Sequence, residues 1–194
     1  MILSGQCDRP TVLRSIGPTH QFLTKPCDSE TLKETVARAC RLRDRLTDDW
    51  HKSISLRIAT LCSLPRNYEA LVEEVSAPDA TIHRAAEIIG SDMGMSLRVL
   101  QSVCSGFYGS PQAVLSAEHA ANLLGLDIIR PLLECGKAFA PFDAEKMKLL
   151  PIQKVHDHGL CVCAAAQAIA AQETDDTDIR DSAGLAGLLN NVGF

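Results

Sequence analysis

The chain has 194 residues, a formal net charge of −5, and a hydrophobic content of 46% with only 4% aromatic residues. This acidic balance gives no electrostatic basis for nucleic-acid binding, which depends on clustered Lys and Arg. No apolar run reaches the ~18 residues of a membrane-spanning helix, and no signal peptide follows Met1. We therefore expect a cytoplasmic protein with reduced cysteines and packed helices, without membrane or nucleic-acid partners.

The first 46 residues predict a short α/β segment. Residues 1–4 are apolar and end in a hydroxyl residue, and HQFLTK at 20–25 has the character of a strand that Pro26 stops. Asp28 or Ser29 then caps a long helix with its inner positions spaced 3, 4, 3 and 4 apart, at Leu32, Thr35, Ala39, Leu42 and Leu46. That spacing fits a heptad-like seam or a plain amphipathic helix lying on the two strands.

Residues 47–49 are polar and mark a domain boundary, after which the pattern is wholly helical. The sequence at 77–79 predicts a helix stop followed by an N-cap, and Asp127 is predicted to cap a later helix. The apolar faces of these helices are predicted at Tyr68, Leu71, Val72 and Val75, at Ile82, Ala85, Ala86 and Ile89, and at Ile128, Ile129, Leu132 and Leu133.

The stretch from Ile88 to Gly125 is predicted to form the centre of this helical region. One apolar face at helical spacing is predicted at Met95, Val99, Leu100 and Val103. Gly106 and Gly109 then predict a sharp turn. Ser116 is a good N-cap for a helix with its core face at Ala120, Leu123 and Leu124, and Gly125 suits its C-terminus.

Two more helices are predicted, at about 152–172 and 179–190, joined by an acidic loop. The first has many alanines, so neighbouring helices can approach it closely. Its inner face is predicted at His158, Val162, Ala165 and Ile169, and the second helix is predicted to bury Leu185, Leu188 and Leu189.

The opening of the chain resembles the last third of a response-regulator receiver domain. The resemblance rests on LSG at 3–5, FLTKP at 22–26 and the capped helix that follows. It implies that Ser4 and Lys25 match the hydroxyl and lysine that sense an aspartyl phosphate in that family. The phosphoacceptor strand would lie upstream of Met1. We expect the two-stranded fragment, residues 1–46, to leave a sheet edge that pairs with a second copy or lies loosely on the rest.

Residues 47–194 resemble an HDOD domain, a helical module related to HD-type phosphohydrolases. The resemblance rests on SLPRNYEALVEEVSAP at 63–78, AAEIIGSDMGMSLRVLQSVCSG at 85–106, FYG at 107–109, VLSAEHAANLLGL at 114–126 and AGLLNNVG at 186–193. The family usually has an Asn-Ser-Ala type triplet where this chain has residues 104–106. The fold expected is a mainly α, multi-helix HD-like bundle preceded by a truncated receiver fragment. The incomplete sheet at one end and the stop just past a helix at the other indicate a piece of a longer protein.

The catalytic relatives hold divalent metal with a His on one helix and a His-Asp doublet at the end of a later one. The resemblance places His158 at the first position and Asn190-Asn191 at the doublet. A neutral amide oxygen supplies neither the lone pair of imidazole nor the charge of carboxylate. We therefore predict no catalytic, metal or cofactor-binding residues, and a hydrogen-bonded, partly buried His158. His156 lies two positions away and points to a different face of the helix.

Three functions remain open at this point. The favoured one is a non-catalytic output module of a two-component response regulator, which binds a signalling protein and forms a homodimer through its N-terminal fragment. The alternative is a metal-dependent phosphohydrolase or cyclic di-GMP phosphodiesterase, for which the chain lacks the charged doublet. The third is nucleotide binding without turnover near His158 and Asn190.

Overall fold

The structure is a computed structural model that describes residues 2–5, 22–45, 63–104, 114, 116–134, 139 and 151–191. Two strands, β1 (Ile2–Ser4) and β2 (Phe22–Thr24), precede eight helices within these residues. The helices are α1 (Ser29–Arg45), α2 (Pro65–Ser76), α3 (Ile82–Gly90), α4 (Met93–Cys104), α5 (Ala117–Leu124), α6 (Leu126–Glu134), α7 (Ile152–Glu173) and α8 (Thr177–Leu188). The mainly helical prediction is confirmed.

The strands pair in parallel, with Ile2 opposite Phe22 and Ser4 opposite Thr24. Asp28 caps α1 as predicted, because its carboxylate accepts hydrogen bonds from the Thr31 amide at 2.8 Å and the Thr31 hydroxyl at 2.6 Å. These bonds lower the pKa of Asp28, the side-chain bond being the larger cause.

The hydrophobic core lies among α2 to α6. The predicted face of α4 is confirmed, since Met95 and Val99 are fully buried and Leu100 and Val103 nearly so. Other core residues that meet the prediction are Leu71, Val75, Ala85, Ala86, Ile89, Ala120, Leu124, Ile128, Ile129 and Leu132. Two predicted core positions are wrong. Val72 is 36% exposed and Leu123 is 52% exposed, because each lies at the edge of its helix's apolar stripe.

Turn chemistry accounts for the helix ends around the core. Ser116 caps α5 as predicted, and Gly125 ends it with a φ of 70°, in the region that glycine enters without a Cβ penalty. The cap of α3 is Thr81, two residues beyond the predicted stop at 77–79. The predicted cap at Asp127 is wrong. Helix α6 begins one residue earlier because the Gly125 carbonyl accepts the Ile129 amide, so Asp127 lies in the first turn.

Helices α7 and α8 form an antiparallel hairpin that begins and ends close to the predicted bounds. Its two helices approach closely at Gly187, where an added Cβ would lie 2.8 Å from the Val162 carbonyl oxygen and 2.9 Å from the backbone of Cys163. Three of the four predicted inner positions of α7 are wrong. His158 and Ala165 are exposed and Ile169 is 65% exposed, whereas the buried residues are His156 and Gly159.

Several predictions fall outside the described residues, including the turn at Gly106 and Gly109, the boundary at 47–49 and position Leu46. Within the part of the chain that the structure describes, no helix combines the length and apolar character needed to cross a membrane.

Candidate functional site

The structure brings His158 and Asn191 together. Nδ1 of His158 lies 2.9 Å from Nδ2 of Asn191. Since an amide nitrogen can only donate, the imidazole nitrogen accepts this bond. His158 lies in the second turn of α7 and Asn191 lies three residues beyond the last residue of α8, so the contact joins the two helices at the open end of the hairpin. His158 and Asn190 are exposed and Asn191 is half-buried.

Glycines explain why the two helices reach each other here. The Gly159 position has no room for a larger residue without adjustment, because an added Cβ would lie 3.1 Å from the Leu188 carbonyl oxygen. Gly187 makes the second close approach, one turn along α7 at Val162 and Cys163. The backbones of α7 and α8 therefore run nearly in contact, and the side chains on either side of this contact reach each other across it.

A second polar cluster lies under the same end of α7, in the interior. Asp92 is fully buried and stands directly before α4. Its Oδ1 accepts the amide of Met95 at 2.9 Å, which caps α4. Its Oδ2 accepts the amide of Leu64 at 2.9 Å and Nδ2 of Asn67 at 3.2 Å, so the carboxylate also fixes the start of α2. Asp92 is not among the residues predicted above from the sequence, although an Asp preceding an apolar helical run is an N-cap signal.

His156 completes this buried cluster from α7. It is 6% exposed, and its Nε2 lies 4.0 Å from Oδ2 of Asp92, too far for a hydrogen bond. Its Nδ1 lies 3.9 Å from a carboxylate oxygen of Asp157, a side chain that is itself 60% exposed. Neither ring nitrogen has a hydrogen-bond partner among the described residues, and neither does Oγ of the buried Ser63. His156 and His158 lie on different faces of α7, as predicted, but no signal in the sequence marks His156 as the buried one.

The comparison with family models decides the identity of this bundle. The HDOD domain model matches residues 61–194, more than two thirds of the chain. The chain belongs to the HDOD domain family. No curated protein and no solved structure matches it.

In this HDOD domain, His158, Asn190 and Asn191, which the resemblance assigns to the metal-ligand positions of the catalytic relatives, offer weak metal ligands. The imidazole nitrogen that faces Asn191 is occupied by its hydrogen bond, and the two asparagines carry no charge. Among the described residues, no three His, Cys, Asp or Glu side chains are arranged to hold a metal ion. What this surface can do chemically is to donate and accept hydrogen bonds through an imidazole and two amides.

Two cysteines of the HDOD domain have shifted ionisation. Burial raises the pKa of the Cys104 thiol, and the charge of Arg38 on α1 partly offsets this. Burial also raises the pKa of Cys163, and the carboxylate of Glu118 adds to it. Both shifts favour the protonated, weakly nucleophilic form of the thiol.

The receiver-like positions lie at one end of the strand pair. Ser4 pairs with Thr24 in register, so Lys25 follows one residue beyond that pairing. Lys25 is exposed, and its side chain runs beside Gly5, where an added Cβ would lie 3.9 Å from the lysine carbons. The parallel pairing thus places positions 4 and 25 next to each other in space.

Proposed function

We propose that this chain is a non-catalytic output module of a response regulator, and that its HDOD domain acts by binding a signalling protein. The membership of residues 61–194 in the HDOD family supports an output role. The observation that carries the non-catalytic part is the hydrogen bond of 2.9 Å between His158 and Asn191. It joins the positions that the resemblance assigns to metal ligands in HD phosphohydrolases.

The energetics of a metal at this place disfavour hydrolysis. A divalent ion at Nδ1 would have to displace the Asn191 amide, and an ion at Nε2 would require the tautomer in which Nδ1 can no longer accept that amide. In either case the remaining ligands would be neutral oxygens. Metal-assisted hydrolysis needs a site that lowers the pKa of bound water, and charged or imidazole ligands in fixed geometry provide it. A His158 ring with two amides supplies one such ligand.

The N-terminal segment supports the regulatory part of the proposal. Its parallel strand pair is followed by a capped helix, in the order that the receiver resemblance requires. We propose that a receiver placed upstream changes conformation on phosphorylation, that the module is cytoplasmic, and that its strand edge forms a homodimer.

Two assays on the full chain test the proposal. In the first, the chain is incubated with cyclic di-GMP and Mn²⁺ or Fe²⁺, and we expect no product. Turnover that His158→Ala abolishes would establish the phosphodiesterase instead. In the second, affinity capture with the full chain should recover a signalling protein reproducibly. Failure to recover one in repeated screens would contradict the binding role. Calorimetric titration with cyclic nucleotides tests the nucleotide-binding function, for which we expect no heat.

A further inference from the structure

The α7–α8 hairpin has few buried contacts with the core. Of the 22 residues of α7, the buried ones are His156 and Gly159, whereas the 12-residue α4 buries nine. Two of the three buried residues of α8, Gly184 and Gly187, face α7 itself. The hairpin is therefore held together tightly, while little apolar surface holds it against α2 to α6.

The contacts that do join the hairpin to the core are few among the described residues. Leu185 is half-buried against the core cluster, and Gly159 lies near the methyl group of Met93. Another contact is between His156 and Asp92, 4.0 Å apart, which we call the latch.

The two side chains of the latch do not form a hydrogen bond with each other. The Asp92 oxygens already accept three hydrogen bonds, from Leu64, Asn67 and Met95, and none of the three comes from His156. The His156 ring is buried with neither nitrogen bonded among the described residues. A buried polar group without a partner destabilises the state that buries it, because that group is hydrogen-bonded to water when exposed. Docking of the hairpin therefore carries a penalty that undocking removes.

We propose that the α7–α8 hairpin opens away from the core as one unit, and that the latch sets how often it does so. Regions with few buried contacts open at lower free energy than the whole domain unfolds. The glycine contacts within the hairpin keep α7 and α8 together during this motion. The opening exposes Asp92 and the start of α2, and it does not depend on which partner the HDOD domain binds.

Native-state hydrogen exchange of the full chain, read by mass spectrometry, tests this proposal. We expect amides of α7 and α8 to exchange with a common rate, at least tenfold faster than those of α3 and α4. His156→Leu, which buries an apolar side chain and leaves Asp92 with its three bonds, should slow hairpin exchange at least tenfold and leave α4 within twofold. His83→Leu, at an imidazole that is 80% exposed, is the matched control and should change neither rate.

Two results would overturn the proposal. One is wild-type exchange of the hairpin at the rate of α4, which needs no variant and so does not depend on any variant folding. The other is a folded His156→Leu variant with unchanged or faster hairpin exchange, which would show that the imidazole contributes to docking rather than opposing it.

Discussion

The close approach of the hairpin helices makes Gly187→Ala a sharp test of the packing. A Cβ at this position would lie 2.8 Å from the Val162 carbonyl oxygen and 2.9 Å from both N and Cα of Cys163. All three atoms belong to the backbone, so no rotamer change relieves the contact, and the helices have to separate.

The expected change in the free energy of unfolding is the sum of two opposing contributions. Replacing Gly by Ala gains at most about 1 kcal/mol of helix propensity at Gly187, since this is the penultimate residue of α8. Overpacking costs ~1–3 kcal/mol, and rigid backbone contacts place Gly187→Ala at the upper end. The net loss is roughly 1–2 kcal/mol, which lowers the melting temperature of a chain of this size by ~2–8 °C.

Gly184→Ala is the matched control in the same helix. Its Cβ would meet the side chain of Gln167, with 2.6 Å to Nε2 and 2.7 Å to Cγ. Gln167 is exposed and its side chain can rotate away, so most of the propensity gain remains. Thermal unfolding followed by far-UV circular dichroism should give a melting temperature at or above that of the native sequence. Equal melting temperatures for Gly187→Ala and the native chain, or equal losses for both variants, would refute the packing described here.

Three further predictions concern the buried carboxylate, a thiol and the amide pair. Asp92→Ala should cost ~3 kcal/mol in urea unfolding, because it uncaps α4 and leaves two buried donors without an acceptor, whereas Asp92→Asn keeps an acceptor and should cost less. Alkylation of Cys104 by iodoacetamide should reach half its maximal rate at a higher pH than that of a free thiol, and Arg38→Ala should move this midpoint higher still. Folding raises the pKa of the Cys104 thiol, so ionisation of this thiol favours the unfolded state. The free energy of unfolding is therefore highest below the unfolded pKa of the thiol and decreases as the pH rises through the unfolded and then the folded pKa. Finally, Asn190→His combined with Asn191→Asp should create Mn²⁺ binding detectable by calorimetry, while the native sequence gives no heat.

The local elements of this protein could be predicted from its sequence because their signals are local. The four apolar positions of α4 recur at helical spacing, and all are buried. Asp28 and Ser116 cap helices where short polar side chains precede helical runs, and Gly125 ends one where a positive φ is required. Each of these signals lies within about one turn of the structure that it determines.

The residues of the candidate site also divide into those that the sequence predicts and those that only tertiary packing brings together. Family resemblance in sequence pointed to His158 and the asparagine pair, and the structure places His158 and Asn191 in hydrogen-bond contact. The buried contact between His156 of α7 and Asp92 could not be predicted from the sequence. Asp92 and His156 are 64 positions apart, and no periodicity links them.

The orientation of α7 was decided only by tertiary packing. Its sequence is rich in alanine on every side, so no face is much more apolar than another and hydrophobic spacing selects none. The inner face was set by where the α8 backbone can approach, at Gly159 and Gly187. That contact turns His156 toward Asp92 and leaves Ile169 in solvent, since close backbone approach requires the positions without side chains to face each other.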